Sequence, residues 1–61
     1  MSKQSMFESL FNTLTVAQQV FDDTLEQIVD SDFVYTKREL EDIYSARAAL
    51  NTALNYVSSL I

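Results

Sequence analysis

The chain of 61 residues contains neither glycine nor proline. Glycine supplies the left-handed backbone of tight turns, and proline interrupts helices, so a chain without either has few places to turn sharply. Two-residue β-hairpins favour Asn-Gly or Asp-Gly turns, and a meander of strands is therefore not expected. This absence predicts long, uninterrupted helices.

The chain also lacks cysteine and histidine. Disulfide scaffolds and thiolate metal sites require cysteine, and phosphate-binding loops require glycine. Nucleophilic catalysis usually needs a histidine or cysteine, or a glycine-flanked serine, and none of these is available. The composition therefore predicts a protein that is not an enzyme and that holds neither a cofactor nor a metal.

The first half of the chain has the apolar spacing of an amphipathic helix. Phe7, Leu14, Phe21 and Ile28 recur every seven residues, and apolar side chains also fall three or four residues after them. Ser5 and Glu8 have the spacing of a capping box, in which each side chain accepts from the other residue's backbone N–H. The pattern predicts a helix from about 6 to 30.

The second half has a similar pattern with a clearer beginning. Thr36 and Glu39 have capping-box spacing, and Tyr35 before the cap can contact Leu40 as a hydrophobic staple. Apolar residues then recur every three or four positions to the end of the chain. This pattern predicts a second helix over about 37–60.

The two segments predict an all-α fold, an antiparallel two-helix hairpin in a single domain over residues 1–61. The connection around residues 30–35 has an ordinary length for two antiparallel helices. Phe33 and Val34 are apolar, and we expect them to fold back over the end of the core. Without glycine, we expect an Asp or Asn to provide the left-handed residue that ends the first helix.

Two helices meet along a single line of contact, yet each apolar stripe is wider than one line. Chains of this size bury little of their surface, and no disulfide or metal can compensate here. We therefore predict a homodimer that forms an antiparallel four-helix bundle; the alternative is a hairpin covered by a different protein. The predicted oligomer interface comprises Phe7, Phe11, Leu14, Phe21, Leu50, Leu54, Val57 and Ile61.

Charge is concentrated near the predicted loop. Residues 22–42 hold eight acids and two bases, a net charge of −6, whereas the rest of the chain carries +1. Residues 9–21 and 48–61 have no charged side chain. The predicted partner-binding surface is this acidic end, with Asp22, Asp23, Glu26, Asp30, Asp32, Glu41 and Asp42.

The acidic end admits three interpretations. It either solubilises the protein, or binds a protein partner with a basic surface, or mimics a nucleic acid and so inhibits a DNA- or RNA-binding protein. The last role is common among small regulators of viral or mobile-element origin. Direct binding to nucleic acid or to an anionic membrane is not expected, because no basic patch is present.

Two further residue patterns have alternative interpretations. Arg47 interrupts an apolar row, and we expect its stem to lie on apolar surface with its head in water, the alternative being a buried ion pair. Asp30, Asp32 and Glu41 match three positions of a calcium-binding loop, but Val34 and Tyr35 occupy positions that need a ligand and a glycine. With no signal peptide or membrane-length apolar run, we expect a cytoplasmic protein.

Overall fold

A computed structural model describes residues 2–61. It contains two α-helices, α1 (Lys3–Asp30) and α2 (Lys37–Ser58), joined by residues 31–36, and no strand within residues 2–61. The helices pack against each other as an antiparallel pair. The predicted all-α two-helix hairpin is therefore confirmed.

Helix α1 begins earlier than the sequence pattern indicates. Ser2 is the N-cap, and its hydroxyl accepts from the backbone N–H of Ser5 at 3.0 Å. The backbone N–H of Met6 donates to the Ser2 carbonyl at 3.2 Å, so the first turn is complete before Met6. The prediction that Ser5 and Glu8 form the cap is wrong, because Ser5 already lies inside the helix.

Helix α1 ends without a left-handed residue. Its C-cap, Ser31, has extended backbone angles (φ −75°), and no residue among 2–61 has a positive φ. The Ser31 backbone N–H and hydroxyl both donate to the Ile28 carbonyl, at 3.3 Å and 2.8 Å. The expectation of a left-handed Asp or Asn is wrong, because a serine side chain satisfies the terminal carbonyl instead.

Helix α2 begins as predicted. The Thr36 hydroxyl accepts from the Glu39 backbone N–H at 3.0 Å, and the Glu39 carboxylate accepts from the Thr36 backbone N–H at 2.8 Å. The helix ends at Ser58, two residues earlier than predicted. There the backbone N–H of Leu60 donates to the Val57 carbonyl at 2.9 Å, a bond to the third residue back that tightens the last turn.

The apolar loop residues do not cover the end of the core. Phe33 is 77% exposed and Val34 is 96% exposed. Tyr35 is half-buried, and its hydroxyl lies 3.0 Å from the Ser31 hydroxyl. The prediction that Phe33 and Val34 fold back over the core is wrong, because Phe33 only borders a hollow beside Ile28 and Leu40, and both loop residues stay exposed.

The hairpin is a layer one helix thick. Its Cα extents are 47 × 17 × 11 Å, and its radius of gyration is 14.7 Å, against about 10.5 Å for a compact chain of this length. A single layer has no interior that is enclosed from both sides. Val57, at 8% exposure, is accordingly the only side chain among residues 2–61 that is buried.

The residues predicted to form the oligomer interface contribute mainly to the contact line between α1 and α2. Six of them are half-buried there, Val57 is buried, and Ile61 remains 49% exposed. These side chains therefore hold the hairpin together before any second chain is considered. The half-buried six are Phe7, Phe11, Leu14, Phe21, Leu50 and Leu54.

Candidate interaction surfaces

The hairpin has two broad faces, one on each side of the contact line. Successive side chains on a helix point about 100° apart, so Phe21 and Asp22 fall on different faces. Phe21 borders the apolar face from the contact line, and that face consists of the following residues: Met6, Leu10, Ala17, Thr24, Ile28, Asp42, Ala46, Ala49, Ala53 and Leu60. The polar face consists of the following residues: Gln18, Asp22, Glu26, Val29, Tyr44, Arg47 and Asn51.

An ion pair joins the two helices on the polar face. Arg47 Nε donates to Asp22 Oδ1 at 2.5 Å, and Nη2 donates to Oδ2 at 3.2 Å. The Arg47 side chain is 26% exposed and that of Asp22 is 47% exposed. The expectation that the Arg47 head reaches water is therefore corrected: the head binds Asp22, in a partly buried bidentate pair between helices.

A second pair of polar side chains lies beside this ion pair. The Gln18 and Asn51 amides are in contact across the helices at 2.9 Å. Exchanging the oxygen and nitrogen of the Gln18 amide directs its oxygen to Arg47, 2.9 Å from Nη1 and 3.2 Å from Nη2. Gln18 and Asn51 therefore flank the Asp22–Arg47 pair, and these four side chains form the polar contact between the helices.

The apolar face has a hollow near the loop. The hollow has a volume of about 310 Å³ and lies between the C-terminal part of α1 and the first turns of α2. Asp42 is the only charged residue that lines it. The other lining residues are Phe21, Thr24, Leu25, Ile28, Ile43 and Ala46.

The other end of the apolar face carries protruding side chains. Met6 is 50% exposed, Leu10 is 45% exposed and Leu60 is 49% exposed. Met6 and Leu10 lie whole helical turns away from Thr24 and Ile28 of the hollow and so share their face, and Leu60 follows the end of α2. The predicted interface omitted these three residues, although Leu10 and Leu60 belong to the apolar repeats; only the shape of the hairpin distinguishes flanking positions from the contact line.

The acidic end is less uniformly acidic than its sequence indicates. Lys37 lies 3.9 Å from Glu41, and Arg38 lies 3.6 Å from Asp42, each pair on successive turns of α2. Both bases pair within their own helix and not with the acids across the loop. Asp22 is also paired and Glu39 caps α2, whereas the other four exposed acids of this end form no ion pair within residues 2–61: Asp23, Glu26, Asp30 and Asp32.

Glu39 has a structural role in this acidic end. The Thr36 backbone N–H donates to its carboxylate, and the Thr36 side chain adds a smaller effect, so the pKa of Glu39 lies below its ordinary value of 4.5. Helix α2 begins at Lys37, inside the calcium-loop spacing of Asp30, Asp32 and Glu41. Within residues 2–61, no three acidic side chains converge in an arrangement that could hold a metal ion.

Neither helix within residues 2–61 combines the length and the apolar character needed to cross a membrane. Comparison with protein-family models, curated proteins and solved structures finds no match to this chain. The function must therefore be argued from the two faces and the acidic end.

Proposed function

We propose that this protein is a non-enzymatic helical interaction module that self-associates through its apolar face into a four-helix bundle. The observation that carries the proposal is the single-layer shape, 11 Å thick, with only Val57 buried among residues 2–61. Stable domains are built from at least two packed layers around a core. A second copy packed on the apolar face supplies the missing layer.

The exposed area of the hairpin supports this proposal. A compact monomer of 7.0 kDa exposes about 4,000 Å². The hairpin exposes 4886 Å², an excess of about 900 Å². Each partner in a standard protein interface buries about 800 Å². Packing one copy on another therefore covers about as much surface as the hairpin leaves uncovered.

The composition of the apolar face favours a copy of the same chain as its partner. The face is rich in alanine at positions 17, 46, 49 and 53, which allows helices to approach closely. Asp42 is the only charged residue that lines the hollow of this face. Uncharged, apolar surfaces of this kind are typical of the cores of homodimer interfaces.

Matched substitutions on α1 test the self-association. Leu10→Asp places a charge on the apolar face, whereas Val16→Asp places one on the outer side of α1, where Val16 is already 61% exposed. We expect Leu10→Asp to weaken dimerisation at least tenfold, which corresponds to about 1.4 kcal/mol, and Val16→Asp to leave it within a factor of two. Light scattering after size-exclusion chromatography measures both; equal effects would contradict the proposal.

The acidic end supplies a second surface for the proposed module. Four exposed carboxylates without an ion-pair partner lie there, on the last three turns of α1 and in the loop. Self-association through the apolar face leaves them in solvent. We therefore propose that they bind a protein partner with a basic surface, because charge complementarity steers association and specifies partners.

Reversing unpaired acids tests this partner binding. The triple variant Asp23→Lys, Glu26→Lys, Asp30→Lys retains both residues of the Asp22–Arg47 ion pair that joins the helices. We expect affinity purification with the wild-type chain to recover a basic protein that the triple variant loses. Equal recovery by both baits would contradict the acidic surface while leaving the self-association untouched.

Nucleic-acid mimicry receives less support from the geometry. A mimic needs unneutralised carboxylates at a density close to that of phosphates, and Asp22, Glu41 and Asp42 each have a cationic partner. If the basic protein recovered above also binds DNA or RNA, competition with that nucleic acid distinguishes mimicry from ordinary recognition.

A further inference from the structure

We propose that the two copies pack antiparallel, with the acidic loop end of each over the terminal end of the other. This inference rests on the proposed self-association and specifies its geometry. Two symmetric arrangements can join the apolar faces: one sets the loops at the same end of the bundle, and the other sets them at opposite ends. Charge and shape both favour the second arrangement.

The charge of the hairpin separates the two arrangements. Residues 22–42 carry a net charge of −6, and the rest of the chain carries +1. Loops at the same end bring two clusters of −6 within about 10 Å, the separation of packed helices, where salt screens their repulsion incompletely. Loops at opposite ends separate the centres of the clusters by roughly 25–30 Å at 1.5 Å per residue, several screening lengths at physiological salt.

The shape of the apolar face gives the same answer. Met6 and Leu10 protrude near the start of α1, three and seven residues after its first residue. Thr24 and Ile28 line the hollow near the end of α1, six and two residues before its last residue. An antiparallel partner with aligned helix ends therefore places its Met6 and Leu10 over the hollow.

Leu60 supports the same alignment from the other helix. It lies beyond the end of α2 on the apolar face, 49% exposed, beside the N-terminal part of α1. In the antiparallel arrangement Leu60 faces the α2 side of the partner's hollow, which Ile43 and Ala46 line. With the loops at the same end, hollow faces hollow and protrusion faces protrusion, which leaves voids at one end and crowding at the other.

The polar face is a poor alternative for this contact. Covering it with a second copy would remove water from Glu26 and from the Asp22–Arg47 pair, and nothing on the facing copy would compensate a second Glu26. Desolvating charged groups without new partners is unfavourable. The antiparallel apolar contact leaves these groups in solvent.

A spin-label distance at the loop tests the arrangement. The sequence has no cysteine, so Val34→Cys provides a single labelling site at a residue that is 96% exposed. In the full-length dimer, we expect electron–electron dipolar spectroscopy to give an interchain distance close to the 47 Å length of the hairpin. A distance close to the width of two packed helices would overturn the antiparallel arrangement.

Val16→Cys is the matched control. Val16 lies near the middle of α1 and is 61% exposed, so its interchain distance stays within the width of the bundle in either arrangement. A short Val16 distance with a short Val34 distance means that dimerisation stands and the antiparallel orientation fails. If the Val16→Cys protein is monomeric and shows no dipolar coupling, the proposed self-association fails, and the proposed orientation fails with it.

Salt dependence gives a readout without labels. Antiparallel packing keeps the acidic clusters apart, so we expect the dimer dissociation constant to change less than threefold between low and high salt. Packing with loops at the same end predicts dimers that tighten at least tenfold as added salt screens the repulsion, and that result would overturn the proposal.

Discussion

Phe21 and Asp22 are neighbours in the chain, yet they lie on faces of the hairpin that differ in the contacts their side chains make. Asp22 binds Arg47 across the helices, and the adjacent Gln18 and Asn51 bind each other. Phe21 borders a hollow that the hairpin cannot fill, on a face where Met6 and Leu10 protrude. The polar face carries the interhelical polar contacts, whereas the apolar face carries the protruding side chains.

This difference explains why polar residues interrupt the apolar repeat on one side only. Asp22 and Arg47 fasten the helices together and leave that side hydrated. Their charges also make it costly for a second copy to cover the polar face. In the dimer that we propose, the polar contacts contribute to specificity, because they leave the apolar face as the surface on which a second layer can pack.

The largest expected effect on stability comes from truncating the neighbouring residues Phe21 and Asp22. Phe21→Ala removes apolar contact from the side that we propose to be covered, and we expect a loss of about 2–4 kcal/mol in the free energy of dimer unfolding. Asp22→Ala leaves Arg47 unpaired but partly hydrated, and we expect a loss of about 1–2 kcal/mol. Urea unfolding at matched protein concentrations measures both variants.

The two losses should also differ in kind. Phe21→Ala should raise the dimer dissociation constant, whereas Asp22→Ala should act mainly on the hairpin and change that constant little. If Phe21→Ala costs no more than Asp22→Ala, the apolar face is not covered in solution and the contrast between the faces disappears.

A second pair of neighbouring residues compares the two faces, with smaller expected changes in the free energy of unfolding. Ile28 is half-buried and lines the hollow, whereas Val29 lies on the polar face and is 65% exposed. We expect Ile28→Thr to lower the free energy of dimer unfolding by about 1–2 kcal/mol, and Val29→Thr by less than about 0.5 kcal/mol. Thermal unfolding followed by circular dichroism distinguishes them; equal shifts in Tm would contradict the assignment of faces.

The polar face can be measured directly by a double-mutant cycle. Asp22→Asn, Arg47→Gln and the double variant give the coupling energy of the pair, which we expect to be about 1 kcal/mol because both side chains are only partly buried. The cycle uses the free energy of unfolding. A coupling energy near zero would mean that the ion pair does not fasten the helices.

The smallest expected effect concerns the stability of the protein at acidic pH. The pKa of Glu39 is lowered in the folded chain, so its contribution to stability is present above pH 4.5 and is lost as pH falls through the folded pKa. We expect Glu39→Gln to reduce the pH dependence of unfolding below pH 4.5 without changing dimer affinity at neutral pH. Unchanged acid sensitivity in this variant would show that other carboxylates account for it.

The helices could be predicted from local chemistry because local groups determine them. Thr36 and Glu39 satisfy each other's backbone N–H groups, so the start of α2 follows from four residues of sequence. The start of α1 was misassigned because Ser5 and Glu8 have the same spacing, and only the chain before them shows that Ser2 is the cap. A capping motif predicts a helix start only when no earlier cap exists.

The faces could not be predicted as fully, because they depend on which apolar residues the second helix covers. The repeat identified Phe7 and Leu14 as apolar positions, and packing of α2 half-buries them. Leu10 belongs to the same repeat but remains exposed beside the contact line. The role of Arg47 was similarly open, because its partner Asp22 lies 25 positions away in the chain and only the pairing of the helices brings them together.

The most direct test of a hairpin completed by a second copy is the mass of the wild-type protein in solution. Sedimentation equilibrium over a wide concentration range should give a species of twice the 7.0 kDa chain mass that dissociates on dilution. The unfolding midpoint should rise with protein concentration in parallel. A 7.0 kDa monomer at every concentration, with a cooperative and concentration-independent unfolding transition, would contradict the account.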